Sequence, residues 1–489
     1  MGFKPVNIAA LALLTPFIAP IFLCNKAYGQ SVLPQGIGIV KVGYRYLTDP
    51  SQSFDENGNK IPLSSRYSKS FTGPEMLKGT YGEDLKLLAT WINKYDSGAH
   101  GGLLDRLTLG NLKLDVKTNI QISMVGLGLG LSDWLTVYAG APLINISVQA
   151  NLSFSGENTA KQIKSELGDL APDQLQDGLD RAAKVNTNDI LDAFEARGYS
   201  RQTTWNAKKW GDTKVGFFLD PKGFLNSKIE NHEPTLNLEL SIPTGYLDNP
   251  ELLVDSDLGK GYYQLYGELN DRHGIAPPFF LNYVAATAIG FPAKRKLRVP
   301  DADSIFPGPD RLSTVTVHPG FDFDARAGLG YTFSALEPYT SLRYEGHTKD
   351  SFTGTMSGNY DKLAEDSNYE LLSSEIGIGL STVNAYKSNS FPIPFLGKLS
   401  WKHPWSGSNK MSDDYVELTV TAFFPTPFTP TTEPKQEQQQ EHQQEQQQEH
   451  QQEQQQEHQQ EQQQEQQQEQ QQEQQQEQEA IPMPPNFDP

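Results

Sequence analysis

Cysteine is nearly missing from this chain. The one it has, Cys24, sits in the N-terminal stretch, so no disulfide can staple the remainder. Long apolar runs are equally scarce. Beyond Ile8 to Leu23, no segment offers about 18 uninterrupted apolar residues, which leaves no second candidate for a spanning helix. Positive charge is short as well: 40 Lys and Arg stand against 60 Asp and Glu, a formal charge of −20, which argues against nucleic acid, whose phosphates need a basic face. Catalytic signatures are missing too. There is no GxSxG elbow, no HExxH and no phosphate loop, and the run Gly126-Leu-Gly-Leu-Gly130 lies in a strand with no helix behind it. The expectation is no enzyme, no catalytic residue, no cofactor and no metal.

The N-terminus carries an export signal. Lys4 precedes the apolar run, and Ala27-Tyr28-Gly29 places small residues at −3 and −1 before Gln30, so residues 1–29 read as a secretory signal peptide cleaved after Gly29. The mature chain is large, exported, free of cysteine and built of alternating strands.

The alternation is clearest from Leu112 to Phe154. From Leu112 to Met124 the even positions are apolar or Thr and the odd positions Lys, Asp, Lys, Asn, Gln and Ser, a period of two. At Val125 the phase slips: Val125, Leu127, Leu129 and Leu131 become the apolar set, with glycines between. A bulge or a second short strand would explain the slip. Ser132-Asp133-Trp134 then turns the chain into another long alternating run, a hairpin longer than a soluble sandwich needs. Similar strands are predicted at 36–46, 213–219, 235–242, 261–269, 279–289, 321–333, 339–346, 371–386, 395–402 and 415–424, about twelve in all. Aromatic residues such as Trp134, Tyr138, Trp210, Tyr331, Tyr339, Tyr344 and Trp401 cluster near strand ends, where they would form interfacial girdles.

Three segments break the pattern. Residues 30–105 hold a strand and then GEDLKLLATWINKY (82–95), whose helical spacing fits a periplasmic helix, a lumen plug or an ordinary amphipathic surface helix. Residues 156–200 are polar and helical, as in the long outer loops of membrane barrels. After a Pro/Thr linker (425–435), Glu recurs every fourth residue from Glu437 to Glu477 with Gln between, and His442, His450 and His458 at every eighth position. That tract, 436–480, leaves no apolar stripe to bury and reads as a hydrated tail, disordered or partly helical, before the C-terminal end at 481–489.

Three phrases, GLGLGLSDWLTVYAGAPL (126–143), WGDTKVGFFL (210–219) and LSIPTGYLDNPELLVDSDLGKGYYQL (240–265), resemble the outer-membrane protein family associated with meta-pathway phenol degradation. That family is distantly similar to the long-chain fatty-acid transporter barrels. The resemblance implies a barrel and uptake of apolar or aromatic solutes. Two features depart from it: the strand ending at Phe424 is not the chain terminus, and the Gln/Glu tract has no counterpart.

The expected fold is therefore all-β: a transmembrane antiparallel β-barrel of about 12–14 strands over 106–424, with the helical extracellular loop and the tail as appendages, in the outer membrane of a Gram-negative bacterium. The expected function is a channel or transporter for small apolar or aromatic solutes. The alternative is a structural or interaction protein whose helical loop or acidic tail engages a partner. Expected partners are outer-membrane lipid, the barrel-assembly machinery, a small-molecule solute and a periplasmic partner for the tail. Lys113, Asp115, Lys117, Asp322, Asp324, Arg326, Arg343 and Glu345 occupy polar strand faces and are the candidate lumen-lining residues.

Overall fold

The computed structural model describes residues 32–428, apart from 49, 79–82, 97–101, 169–170, 226–230, 253 and 302–306. The expected signal peptide at 1–29 and the Gln/Glu tail lie outside the described residues. Twelve antiparallel strands close on themselves. In chain order they are β1 (Ile37–Leu47), β2 (Thr108–Ser132), β3 (Leu135–Ser155), β4 (Thr213–Leu219), β5 (His232–Ile242), β6 (Gln264–Ala276), β7 (Phe279–Gly290), β8 (Phe321–Tyr331), β9 (Leu336–His347), β10 (Tyr369–Ser381), β11 (Phe395–Ser408) and β12 (Tyr415–Pro425). From β2 to β12 each strand pairs with the next, while β1 sits between β12 and β2 and closes the ring. Closure removes sheet edges, the condition for carrying backbone amides through lipid.

The outward face is apolar wherever it meets lipid. On β12, Val416, Leu418 and Val420 are exposed while Glu417 and Thr419 between them are buried. The same alternation exposes Val42, Leu127, Leu269, Leu329, Leu342, Ile376 and Leu399 around the wall. Exposed aromatics ring both ends: Phe279, Phe333 and Phe424 at one, Tyr46, Trp210, Tyr263, Phe321 and Trp405 at the other. Such girdles place amphipathic rings at headgroup depth. Tyr138 and Tyr339 do not join them, because both point into the lumen, where Tyr138 meets Glu239 and Tyr339 meets Glu375. Among the described residues no helix is long and apolar enough to cross a membrane.

At one end the turns at 133–134, 277–278 and 332–335 are short. That end also holds two connections of middling length, 220–231 and 382–394, while the opposite end carries the longest excursions, 48–107, 156–212, 243–263, 291–320 and 348–368, and by the rule of short inner turns that opposite end faces the medium. The hairpin β2–β3 overshoots the other strands at this end, and its extension is flanked by the short strands Lys69–Thr72 and Thr204–Trp210. No bulge lies at Val125: β2 and β3 stay in unbroken register from Asn111 opposite Ser155 to Gly130 opposite Thr136. The expected slip is a change of surroundings. From Lys113 onward the odd residues of β2 point outward, into water at Lys113, Asp115, Lys117 and Asn119, and into lipid at Val125 and Leu127; only at the outer tip, before Gly110, does the parity change, and Leu109 is buried. Over the same length even residues point inward, mostly as large apolar side chains above and as glycines below.

The helix expected at 82–95 forms as α1 (Glu83–Tyr95). It lies neither in the periplasm nor in the lumen. Leu88, Ala89 and Ile92 pack with Leu109 and Leu112 of the β2 extension and with Ile163, Leu175 and Leu179. These last come from the helical excursion, which contains α2 (Ala160–Leu167), α3 (Asp173–Ala182) and α4 (Thr187–Ala196). The polar spacing at 156–200 thus belongs to amphipathic helices that share one apolar core with the N-terminal excursion. A three-stranded sheet, Ala293–Arg298, Leu312–His318 and Ser351–Gly354, also stands on this end, in segments whose alternation is too short to single out in the sequence.

Candidate functional site in the lumen and at its outer mouth

Inward positions of the wall carry charge, and the charges are paired. Arg45 Nε donates to Glu417 Oε2 at 2.7 Å, and Lys398 Nζ donates to Glu375 Oε1 at 2.7 Å. Arg343 grips Asp324 through Nε and Nη2 at 2.8 to 3.1 Å and also reaches Glu345 at 2.9 Å. Lys402 Nζ stands 3.2 Å from Asp413 and 3.7 Å from Glu345. Higher up, His347 bridges Asp322 at 2.6 Å and Asp350 at 2.9 Å, and Lys260 adds a contact to Asp322 at 2.9 Å. Across the lumen Lys214 pairs with Glu239 at 2.8 Å. Burying unpaired charge is costly, so a lumen closed to water must match each charge with a partner.

The structure brings five of the candidate residues into this network: Asp322, Asp324, Arg326, Arg343 and Glu345, with Arg326 Nη2 3.7 Å from Asp324. Lys113, Asp115 and Lys117 are not with them. All three are exposed on the outside of the β2 extension, beyond the level of the other strands. Alternation divides a strand into two faces but does not say which is inside once the strand leaves the membrane. Glu417, whose place on the polar face of the last strand is legible in the sequence, joins the network, as do Arg45, Lys214, Glu239, Glu375, Lys398 and Lys402, which had not stood out there. A signal was available for some of the latter, since Arg45 and Glu239 each stand between two apolar neighbours.

The network fills the bore. Lys402 and Glu417 each keep 2% of their surface accessible, so water does not reach them. Where β7 presents Ala286 and Ala288 instead of long side chains, the cavity against Glu239, Tyr266, Asp324 and Arg343 holds about 40 Å³, room for roughly one water. At the inner end the N-terminal segment crosses the wall. Leu33 is buried, its N–H donates to Thr136 Oγ1 at 2.7 Å, and Gln35 N–H donates to Asp133 Oδ1 at 3.0 Å. The glycines of β2 allow this approach: a Cβ on Gly130 would collide with the carbonyl oxygens of Pro34 and Leu33.

The outer mouth is shut by a cap. Val254 and Leu258 from the 243–263 loop and Met411 pack on the apolar inner face of the β2–β3 overhang, against Ile122, Met124, Ile144 and Ile146. The loop is clasped by Asp212, whose carboxylate accepts the N–H of Gly245 at 2.9 Å and of Lys260 at 2.7 Å. Gly245 and Gly259 lie back to back, so that a Cβ on either would stand 2.6 to 2.7 Å from the other's Cα. The second and third phrases of the family resemblance therefore meet at one point: the aspartate of the first locks the glycines of the other. Inside the loop, Asp255 accepts Asn249 N–H at 2.7 Å and Tyr246 Oη–H at 3.1 Å, and Arg295 holds Asp257 at 2.7 Å and Asp248 at 2.6 Å. Burial pushes the Asp255 carboxyl up to about 6 and raises Asp257 as well. Among the described residues no group of three or more His, Cys, Asp or Glu is placed to hold a metal ion.

A closed ring of twelve strands with an apolar belt between two aromatic girdles has one environment that suits it. The chain is an outer-membrane β-barrel. A family model described as the autotransporter beta-domain matches residues 318–439. Among solved structures, the chain is similar to an outer-membrane channel from Pseudomonas putida F1, at 12% identity over 80% of this chain and 97% of that one, with a TM-score of 0.43. It is also similar to the monoaromatic hydrocarbon channel CymD (8% identity, 80% and 89% covered, TM-score 0.30) and to a FadL homologue of Pseudomonas aeruginosa (10%, 86% and 99%, TM-score 0.28). Comparison with curated protein sequences found no match.

Proposed function

We propose that this barrel is a channel or transporter for small apolar or aromatic solutes. The outer mouth carries the reading. Val254, Leu258 and Met411 close the lumen from loops that are not part of the wall, and they rest on apolar side chains of the overhang. A barrel that served only as an anchor could fill its bore with side chains and would have no use for a separate door. Apolar packing between cap and overhang is also a surface on which an apolar solute can replace protein contacts one for one. Solute passage then requires the cap to lift and the ion-paired ladder below it to rearrange.

The test is reconstitution of the full chain into liposomes, following accumulation of a small aromatic such as 2-naphthylmethanol, with ion conductance measured in planar bilayers. Uptake above that of empty liposomes, with low ion conductance through the charge-filled bore, is the expected result. Neither accumulation nor conductance would leave the barrel as an anchor.

A further inference from the structure

We infer that the groove between α1 and α3, on the extracellular side, is a binding site for an amphiphilic anion: an apolar ring or chain carrying one carboxylate. The inference rests on the solute-channel reading for its biological sense, since this is where an incoming solute would first be held.

The groove encloses about 880 Å³, within the range of pockets that take small organic ligands. Its floor is Leu88 and Leu175, both buried, and its walls are Leu85, Trp91 and Val185, with Leu87 at the edge and 57% exposed. An amphipathic surface helix normally turns such a leucine inward; here α1 spends Leu87 on an open apolar surface. Gly178 sets the depth of the trough. A Cβ there would stand 3.1 Å from Leu88 Cδ1, so α3 comes close at the floor while the rim stays apart.

Charge decides what the occupant carries. Arg181 and Lys184 border the groove where α3 ends. The neighbouring cations are committed, Lys164 to Asp180 and Arg201 to Asp192 and Glu195. Among the described residues, Arg181 and Lys184 have no carboxylate at ion-pair distance: Lys184 acts on Asp180 only from beyond that distance, and Arg181 Nε reaches the Asp177 carbonyl at 3.4 Å. The helix C-terminus accounts for basic residues here but not for their opening onto an apolar trough. Of the acids at the rim, Asp189 is engaged in accepting Asn186 N–H at 2.8 Å and Asp84 stands at the first turn of α1. An apolar body in the trough with its anion on the Arg181 and Lys184 side satisfies both features. A protein partner would need about 1,000 Å² of buried surface, more than so narrow a trough offers.

The experiment is isothermal titration of 2-naphthoate, and of neutral 2-naphthylmethanol, into the full chain in lipid nanodiscs. The wild type should bind one naphthoate. The double variant Arg181→Gln, Lys184→Gln should weaken naphthoate at least about tenfold, the loss expected for a charged hydrogen bond, while leaving the alcohol unchanged. Leu87→Asp should weaken both, and heat-modifiable migration shows that each variant retains its barrel. Equal naphthoate affinity in wild type and Leu87→Asp, or no loss on removing the two cations, overturns the site. Binding that follows these expectations without liposome uptake would remove the channel reading and leave the site standing.

Discussion

Arg45 and Glu417 stand directly opposite each other on β1 and β12, 372 residues apart in sequence, and both side chains are buried on the lumen side of the seam that closes the barrel. Arg45 also lies 4.0 Å over the Tyr415 ring. Removing one partner leaves the other charge unmatched at the seam. Arg45→Met is expected to cost about 3–5 kcal/mol, and Arg45→Met with Glu417→Leu to cost less than either single change. The temperature at which the folded band disappears on heat-modifiable gels, compared across the four proteins of the cycle, checks this. Additive losses would mean that the pair does not hold the seam.

The N-terminal segment occupies the inner end because β2 has no side chain at Gly130. Gly130→Val puts atoms where the Leu33 and Pro34 carbonyls lie, so the segment must leave while the lipid-facing wall is untouched. A spin label at Gln35 should change from a broad, immobilised spectrum in the wild type to a sharp one in the variant. A spectrum that stays broad would show the segment held by something other than its fit against β2.

Much of the wall is legible in the sequence because lipid imposes a strict rule on every second residue: Val416, Glu417, Leu418, Thr419 and Val420 declare their faces without help from tertiary structure. The hairpin β2–β3 is legible as strands but not as surroundings. The same alternation faces loops and water above the membrane and the lumen and lipid within it, so Lys113 and Asp324 look alike in sequence and lie on opposite sides of the wall. The cap cannot be read from pattern at all. Its parts, Asp212, Gly245, Gly259 and Asp255, are single residues in irregular segments, and only their meeting in space gives them a role.

The cap should loosen as pH rises. Burial holds the Asp255 carboxyl near 6, above the ordinary carboxylate value of 3.8, so the folded loop binds a proton more tightly than the open loop does. Its protonated form favours closure at low pH, and this contribution is lost as pH climbs from about 4 through about 6. Burial shifts Asp257 in the same sense, so the two act together. A two-unit shift corresponds to roughly a hundredfold in the opening equilibrium. Hydrogen-exchange protection of the Leu258 amide, which donates to the Tyr246 carbonyl, should fall across that window after correction for intrinsic rate. Asp255→Asn should flatten the part that lies below pH 6. Rising protection, or an unchanged slope in the variant, would show that Asp255 does not bear on the cap.

Asp212 is the mechanical counterpart of that chemistry. Its two carboxylate oxygens take backbone N–H groups from both ends of the loop, Gly245 and Lys260. Asp212→Ala deletes two charge-assisted bonds, each worth about 1.5–3 kcal/mol, and leaves two N–H groups to find water. The expected outcome is a cap that opens more often: protection at Leu258 drops at every pH while heat-modifiable migration is unchanged. Asp212→Asn, which keeps one acceptor, should fall between. Wild-type protection in Asp212→Ala would show that the loop is held shut by its apolar contacts alone.

The boundary between lipid and water along β2 can be mapped on a single face. Lys117, Asn119, Val125 and Leu127 all point outward, and ten residues of strand separate Lys117 from Leu127, about 34 Å along the chain. Cysteine placed at Lys117 or Asn119 should react on intact cells with a membrane-impermeant maleimide. At Val125 or Leu127 it should react only with a lipid-soluble reagent. Charge gives a second measure: Leu127→Arg should destabilise the barrel by about 2–4 kcal/mol, the cost of an arginine near the bilayer midplane, whereas Lys117→Leu should change stability little. Impermeant labelling at Leu127, or protection at Lys117, would mean that the change of pattern at Val125 is a turn of the strand after all, with Lys113, Asp115 and Lys117 returned to the lumen.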